Sequence, residues 1–166
     1  MKSRIRAAQK CQDAGYPVRF RFSPIIPIEG WREENEKMIR QLLSGVRPDI
    51  ICIQTLTHMS AEQIRRSMDT THFDDEILST MEEDAKGDMC GPFPHETREM
   101  IYRFFLDTIR SYAPEVPIVT CLETPEMWKA LGDELKMTPE NYVCCCGPNS
   151  VPENPLFSAP SDVLAK

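Results

Sequence analysis

At 166 residues, with 41% hydrophobic and 27% charged side chains, the chain has the length of one globular domain and apolar content for a modest core. Its 26 Asp and Glu outnumber 19 Lys and Arg, and the net charge of −7 excludes indiscriminate nucleic-acid binding through overall basicity. No apolar stretch reaches the length of a membrane span, the start at Met1-Lys2-Ser3-Arg4 leads into an amphipathic helix and not a signal peptide, and seven cysteines in no disulfide-framework spacing fit a reducing cytoplasm.

A helical pattern runs over residues 4–14 and is closed by Gly15, which suits the left-handed position that ends many helices. The stretch 15–31, GYPVRFRFSPIIPIEGW, is the one around which the chain is organised. After the turn signal Gly15-Tyr16-Pro17, residues 18–23 alternate with period two. Val18, Phe20 and Phe22 share one face of this strand, and Arg19, Arg21 and Ser23 share the other. Pro24 and Pro27 are expected to stop it, and Glu29-Gly30-Trp31 opens a helix over residues 32–43. Strand, stiff loop and helix make a β/α unit, and the loop after such a strand is the usual ligand site.

Pro48 leads into a second strand over residues 50–56, nearly all apolar, as suits a parallel strand covered on both faces. Ser60 and Gln63 have capping-box spacing, and Arg65-Arg66 falls near the end of that short helix. Residues 69–94, rich in acids, Gly and Pro, predict a long loop with a short helix at 75–84. Residues 96–112 form the clearest helix, with Met100, Ile101, Phe104, Phe105, Ile109 and Tyr112 in one apolar stripe. Pro114 and Pro117 bracket the turn into a third strand at 118–122. Thr124 then caps a helix with Pro125 in its first position, reaching residue 135. Residues 1–147 therefore read as an α/β domain of parallel β/α units with about three strands, and residues 148–166 as an irregular tail. Three strands cannot close a barrel, and an exposed sheet edge invites pairing.

The stretch AGYPVRFRFSPIIPIEGW, residues 14–31, resembles the radical S-adenosylmethionine enzymes of the spore photoproduct lyase family, including the group labelled DNA repair photolyase-like. The family carries an AGYPV-like turn, a strand, a Pro-Ile pair and a closing EGW at this spacing. VTCLETPEMWKAL, residues 119–131, is similar to the family's last strand and helix. The resemblance spans about residues 3–146 and is loosest at about 57–94. It implies the second half of an open partial (β/α) barrel, with S-adenosylmethionine and a [4Fe–4S] cluster as the family's cofactors. The reaction it implies is repair of a thymine-dimer photoproduct in DNA by carbon–carbon bond cleavage. Three thiolates in a CxxxCxxC run hold that cluster, and none of Cys11, Cys52, Cys90, Cys121, Cys144, Cys145 or Cys146 forms such a run. The resemblance thus implies a C-terminal half that does not bind the cluster alone and is inactive alone. A separate N-terminal half carrying the cluster is the implied partner.

The same resemblance places Ser23 and Pro24 where family members help to hold S-adenosylmethionine. It puts Arg19 and Arg21 on the lumen face, although family members mostly carry other residues at the two arginine positions. The residues' own chemistry offers Arg19, Arg21, Glu29, Trp31 and Gln54 as substrate or DNA contacts. Chemistry alone supports the arginines as phosphate ligands, because guanidinium grips phosphate bidentately. An alternating strand with two arginines is equally the pattern of a solvated surface strand. Trp31 suits stacking on a base, or packing at the start of the next helix. Lys2, Arg4, Arg6, Lys10, Arg19 and Arg21 face Asp13 alone within residues 1–21, a local basic patch compatible with weak DNA binding. Residues 69–88 are acidic and oppose it. Adjacent cysteines point apart in an extended chain, so Cys144–Cys146 is no zinc site by itself, although Cys90, His95 or Cys121 would supply further donors. No catalytic residue and no metal set is assigned. The alternative reading is a non-catalytic interaction module that pairs through its open sheet edge.

Overall fold

The computed structural model describes residues 2–82 and 90–136. The expected tail at 148–166 and the Cys144–Cys146 run lie outside the described residues, and the helix predicted at 75–84 ends at Ser79, with Thr80 as its C-cap. Helix α1 (Lys2–Asp13) leads into strand β1 (Arg19–Ile25), helix α2 (Trp31–Leu43) and strand β2 (Ile50–Thr55). Helices α3 (Ala61–Ser67) and α4 (Asp75–Ser79) follow, with a 3₁₀ turn between them at Thr70–His72. The long helix α5 (His95–Tyr112), strand β3 (Ile118–Thr120) and helix α6 (Pro125–Leu131) complete the order, and a 3₁₀ turn, Gly132–Leu135, ends it.

The three strands form one open parallel sheet in the order β1-β2-β3. This is the α/β partial-barrel architecture expected. Arg19 lies beside Ile50, Arg21 beside Cys52 and Cys52 beside Val119, so these residues share one face of the sheet. The opposite face carries Phe20, Phe22, Ile51, Ile53, Thr55 and Ile118, and α5 packs across it. Phe22 meets the Phe105 ring at 5.6 Å between centroids. A second small cluster, Ile5, Leu42 and Val46 with Val18 and Phe20, seats α1 against the C-terminal end of α2.

The chain punctuation explains the element ends. Gly15 has φ 84° and closes α1 in a Schellman arrangement, with Tyr16 N–H on the Cys11 carbonyl and Gly15 N–H on that of Gln12. Ser60 and Gln63 make the full reciprocal capping box at α3, and Thr124 caps α6 ahead of Pro125. Two acids of the 69–88 run are caps as well: Asp69 accepts from Thr71 and Asp74 from Ile77.

Two strand ends are corrected as well. Pro24 does not stop β1; the strand continues to Ile25 across a register shift between Phe22 and Ile25. The reason is position: β1 is an edge strand, where a missing N–H deprives no neighbour. The third strand ends at Thr120 and not at residue 122, because Leu122 turns into the left-handed region at φ 54°.

Candidate functional site

The polar face of β1 meets β2 through Gln54, which is 5% exposed. Its Oε1 accepts from Arg21 Nη2 at 2.6 Å and from Ser23 Oγ at 2.9 Å, and its Nε2 donates to Thr57 Oγ1 at 3.0 Å. The register produces this cluster. Residue 21 lies beside 52, so two residues on, 23 and 54 fall together on the same face at the C-terminal ends of their strands. A buried amide needs partners for both its oxygen and its nitrogen, and Gln54 has them. The result is a fixed polar patch of guanidinium, hydroxyls and amide at the end of a parallel sheet where ligands bind in such folds.

The remaining candidates are scattered. Arg19 lies one turn of the pleat below and pairs with Asp49, Nε to Oδ2 at 3.0 Å, with its side chain 15% exposed. Pro24 follows Ser23 through a cis peptide bond and is exposed. Glu29 is exposed, and its backbone N–H donates to the His72 carbonyl at 2.9 Å. Trp31 is 1% exposed and begins α2, with Phe104 edge-on at 4.9 Å and the Arg32 guanidinium 4.5 Å from its ring. The structure therefore groups Arg21, Ser23 and Gln54 and leaves Arg19, Glu29 and Trp31 outside that group.

A second polar cluster stands at the end of β3 and was not foreseen. The Glu123 carboxylate accepts from Arg98 Nε at 3.0 Å, Arg98 Nη2 at 3.3 Å and the Tyr102 hydroxyl at 2.7 Å. Tyr102 in turn accepts from the Thr55 N–H at 3.2 Å, and Arg98 Nη1 donates to the Phe93 carbonyl at 2.6 Å. Burial first, and the Glu123 charge second, hold the Tyr102 hydroxyl protonated well above its ordinary range. This network ties α5 to the ends of β2 and β3. One sequence signal pointed to it: Arg98 sits three and four residues before Ile101 and Tyr102, on the apolar stripe of α5, where a charge requires a partner.

Left-handed residues stand just beyond two strand ends, His58 at φ 57° after β2 and Leu122 at φ 54° after β3. Such conformations are uncommon outside glycine and are found often in functional loops. Among the described residues no group of three Cys, His, Asp or Glu is arranged to hold a metal ion. Cys11 is exposed, Cys52 buried, and Cys90 and Cys121 half-buried. This donor set does not fit an iron–sulfur cluster, which requires converging thiolates. No described helix is long and apolar enough to cross a membrane.

The sequence model of the family described as spore photoproduct lyase matches residues 1–89 of the chain. That span runs from α1 through α4 and contains Arg21, Ser23 and Gln54. The later stretch 119–131 lies beyond it. No curated protein and no solved structure matches the chain.

Proposed function

Because the chain belongs to the spore photoproduct lyase family, we propose that it supplies the later strands of a radical S-adenosylmethionine enzyme acting on a DNA photoproduct, with the cluster-binding residues supplied by a partner polypeptide. The observation that carries this reading is the Arg21–Ser23–Gln54–Thr57 patch at the strand ends, inside the family match. Ser23 and Thr57 offer hydroxyls of the kind that hold a ribose or an amino-acid headgroup, and Arg21 offers a cation for a carboxylate or phosphate. When bound by the assembled enzyme, S-adenosylmethionine and the cluster would supply radical chemistry. The part played by this chain is to hold one side of the cofactor and, through Arg21, to hold DNA phosphate weakly. The Arg98–Glu123–Tyr102 network keeps the neighbouring strand-end loop fixed. Cytoplasmic residence accords with this role.

The missing CxxxCxxC run supports inactivity of the chain alone. The test is anaerobic reconstitution of the purified chain with iron and sulfide. We expect no stoichiometric [4Fe–4S] absorbance and no reductive cleavage of S-adenosylmethionine. A loaded cluster with turnover would overturn the reading. The β1 edge, unpaired among the described residues, favours a second reading as a non-catalytic interaction module. A CxxxCxxC run encoded upstream or in a neighbouring gene would decide for the enzyme half.

A further inference from the structure

At the N-terminal ends of β2 and β3, away from the Arg21–Ser23–Gln54 patch, lies a cleft of about 480 Å³. Residues 43–49, from the end of α2 to the start of β2, supply one wall, and residues 112–117 supply the other. Leu43, Pro48, Ala113 and Pro117 are half-buried, and Tyr112 is 41% exposed. Tyr112 ends the stripe of α5 whose members Ile101, Phe105 and Ile109 fill the core, but its own ring stands at the cleft. The cleft is thus an apolar surface open to solvent.

Its charged groups differ in their partners. Asp49 is paired with Arg19, and Glu115 with Lys136, Nζ to Oε2 at 3.6 Å. Arg47 is exposed and has no ion pair among the described residues. A guanidinium in that position suits a carboxylate.

The path of the chain supplies one. Arg110 donates to the Ala113 and Val116 carbonyls of the cleft wall at 3.3 and 2.7 Å, and to the Glu134 carbonyl at 3.0 Å. Leu135 is fully buried, and Lys136 turns at φ 57° with its ammonium on Glu115. The last described residues are therefore tied to the wall of the cleft, and the rest of the chain follows from its rim. Residues 137–143, MTPENYV, carry Met137, Tyr142 and Val143 as apolar groups and Glu140 as the one charge. Seven residues reach at most about 25 Å when extended, enough to cross a cleft of this size. So short a tether gives the segment a high effective concentration at the cleft, and modest contacts suffice to fill it.

We propose that residues 137–143 dock in this cleft, with Glu140 on the Arg47 guanidinium and Tyr142 and Val143 against the surface of Leu43 and Tyr112. The segment covers the apolar area at the N-terminal ends of the strands and makes the chain up to Val143 part of the folded unit. The unpaired cation selects an acidic occupant and disfavours a basic one. The inference is independent of the proposed function, because it concerns the end of the sheet opposite the strand-end patch.

The experiment uses the full chain with Tyr112→p-benzoylphenylalanine, a photo-cross-linking side chain at an exposed position. Ordinary and isotope-labelled chains are mixed and irradiated, and the products are mapped by mass spectrometry. We expect cross-links within one chain, from position 112 into residues 137–143. Arg47→Glu should lower their yield at least threefold, and Glu140→Arg added to it should restore the yield. Cross-links that join an ordinary to a labelled chain overturn the proposal, by placing a second copy in the cleft. Products confined to other segments, no product at all, or a yield indifferent to Arg47→Glu also overturn it.

Discussion

Arg98 grips Glu123 through two hydrogen bonds, at 3.0 and 3.3 Å, at a point where the Glu123 side chain has no exposed surface. Removing one partner strands the other charge in the interior, which typically costs about 3–5 kcal/mol. We expect Arg98→Met or Glu123→Leu alone to lose stability on that scale in urea unfolding. The double change should recover much of the loss, since an apolar pair of similar volume leaves no buried charge. Additive losses would show that the two residues do not act as a pair.

Tyr102 makes the same network sensitive to alkali. Burial and the Glu123 charge raise its pKa in the folded chain, so the folded state favours the protonated phenol. Its contribution is complete below the ordinary tyrosine value of about 10 and is lost as pH rises through the higher folded value. Stability should therefore fall with rising pH above about 10, and Tyr102→Phe should flatten that fall. The same variant should be less stable at neutral pH by about 1–3 kcal/mol, because Glu123 loses a donor. Unfolding measured from pH 7 to 11 checks both.

Arg19 and Arg21 lie on the same strand face but differ in their surroundings, and they should behave differently toward DNA. Arg19 is paired with Asp49 and its side chain is only 15% exposed, whereas Arg21 reaches Gln54 from an exposed position. For two or three phosphate contacts on single-stranded DNA, log affinity should fall with log salt at a slope of about −1.4 to −2.1. Arg21→Ala should reduce the magnitude of that slope by about 0.7. Arg19→Ala should leave the slope unchanged and lower stability instead, because Asp49 loses its partner. Anisotropy titrations at two salt concentrations separate the cases, and equal slope changes for both variants would contradict the distinction.

The caps are testable without any activity. Ser60→Ala removes the acceptor for Gln63 N–H and Thr124→Ala that for Met127 N–H. Each should lower stability by about 1 kcal/mol in denaturant unfolding. A loss below a few tenths would mean that these helices are held by packing alone.

Much of the fold was legible because its signals are local. The alternation of residues 18–23 gave both faces of β1, Gly15 and Ser60 gave helix ends, and the apolar run of β2 gave a covered parallel strand. The continuation of β1 through Pro24 was not legible, since only the sheet order reveals that β1 is an edge. The grouping of Arg21 and Ser23 with Gln54 depends on the β1–β2 register, which spans more than thirty residues and leaves no mark on either strand. Glu123 gave no signal at all, because its partners Arg98 and Tyr102 lie on a helix 25 and 21 residues earlier. Arg98 was the visible half of that pair, a charge on an apolar stripe.

The central claim is that this chain is the later half of a divided catalytic unit. The most direct measurement is cleavage of S-adenosylmethionine, read as methionine release under reducing, anaerobic conditions. It is made on the chain alone, on the cluster-bearing half alone and on their mixture. The account predicts turnover in the mixture only, and its loss when Arg21 and Ser23 are both replaced by Ala. Turnover by the chain alone would contradict it, as would a mixture, with its cluster loaded, that gives no methionine above the cluster-bearing half alone.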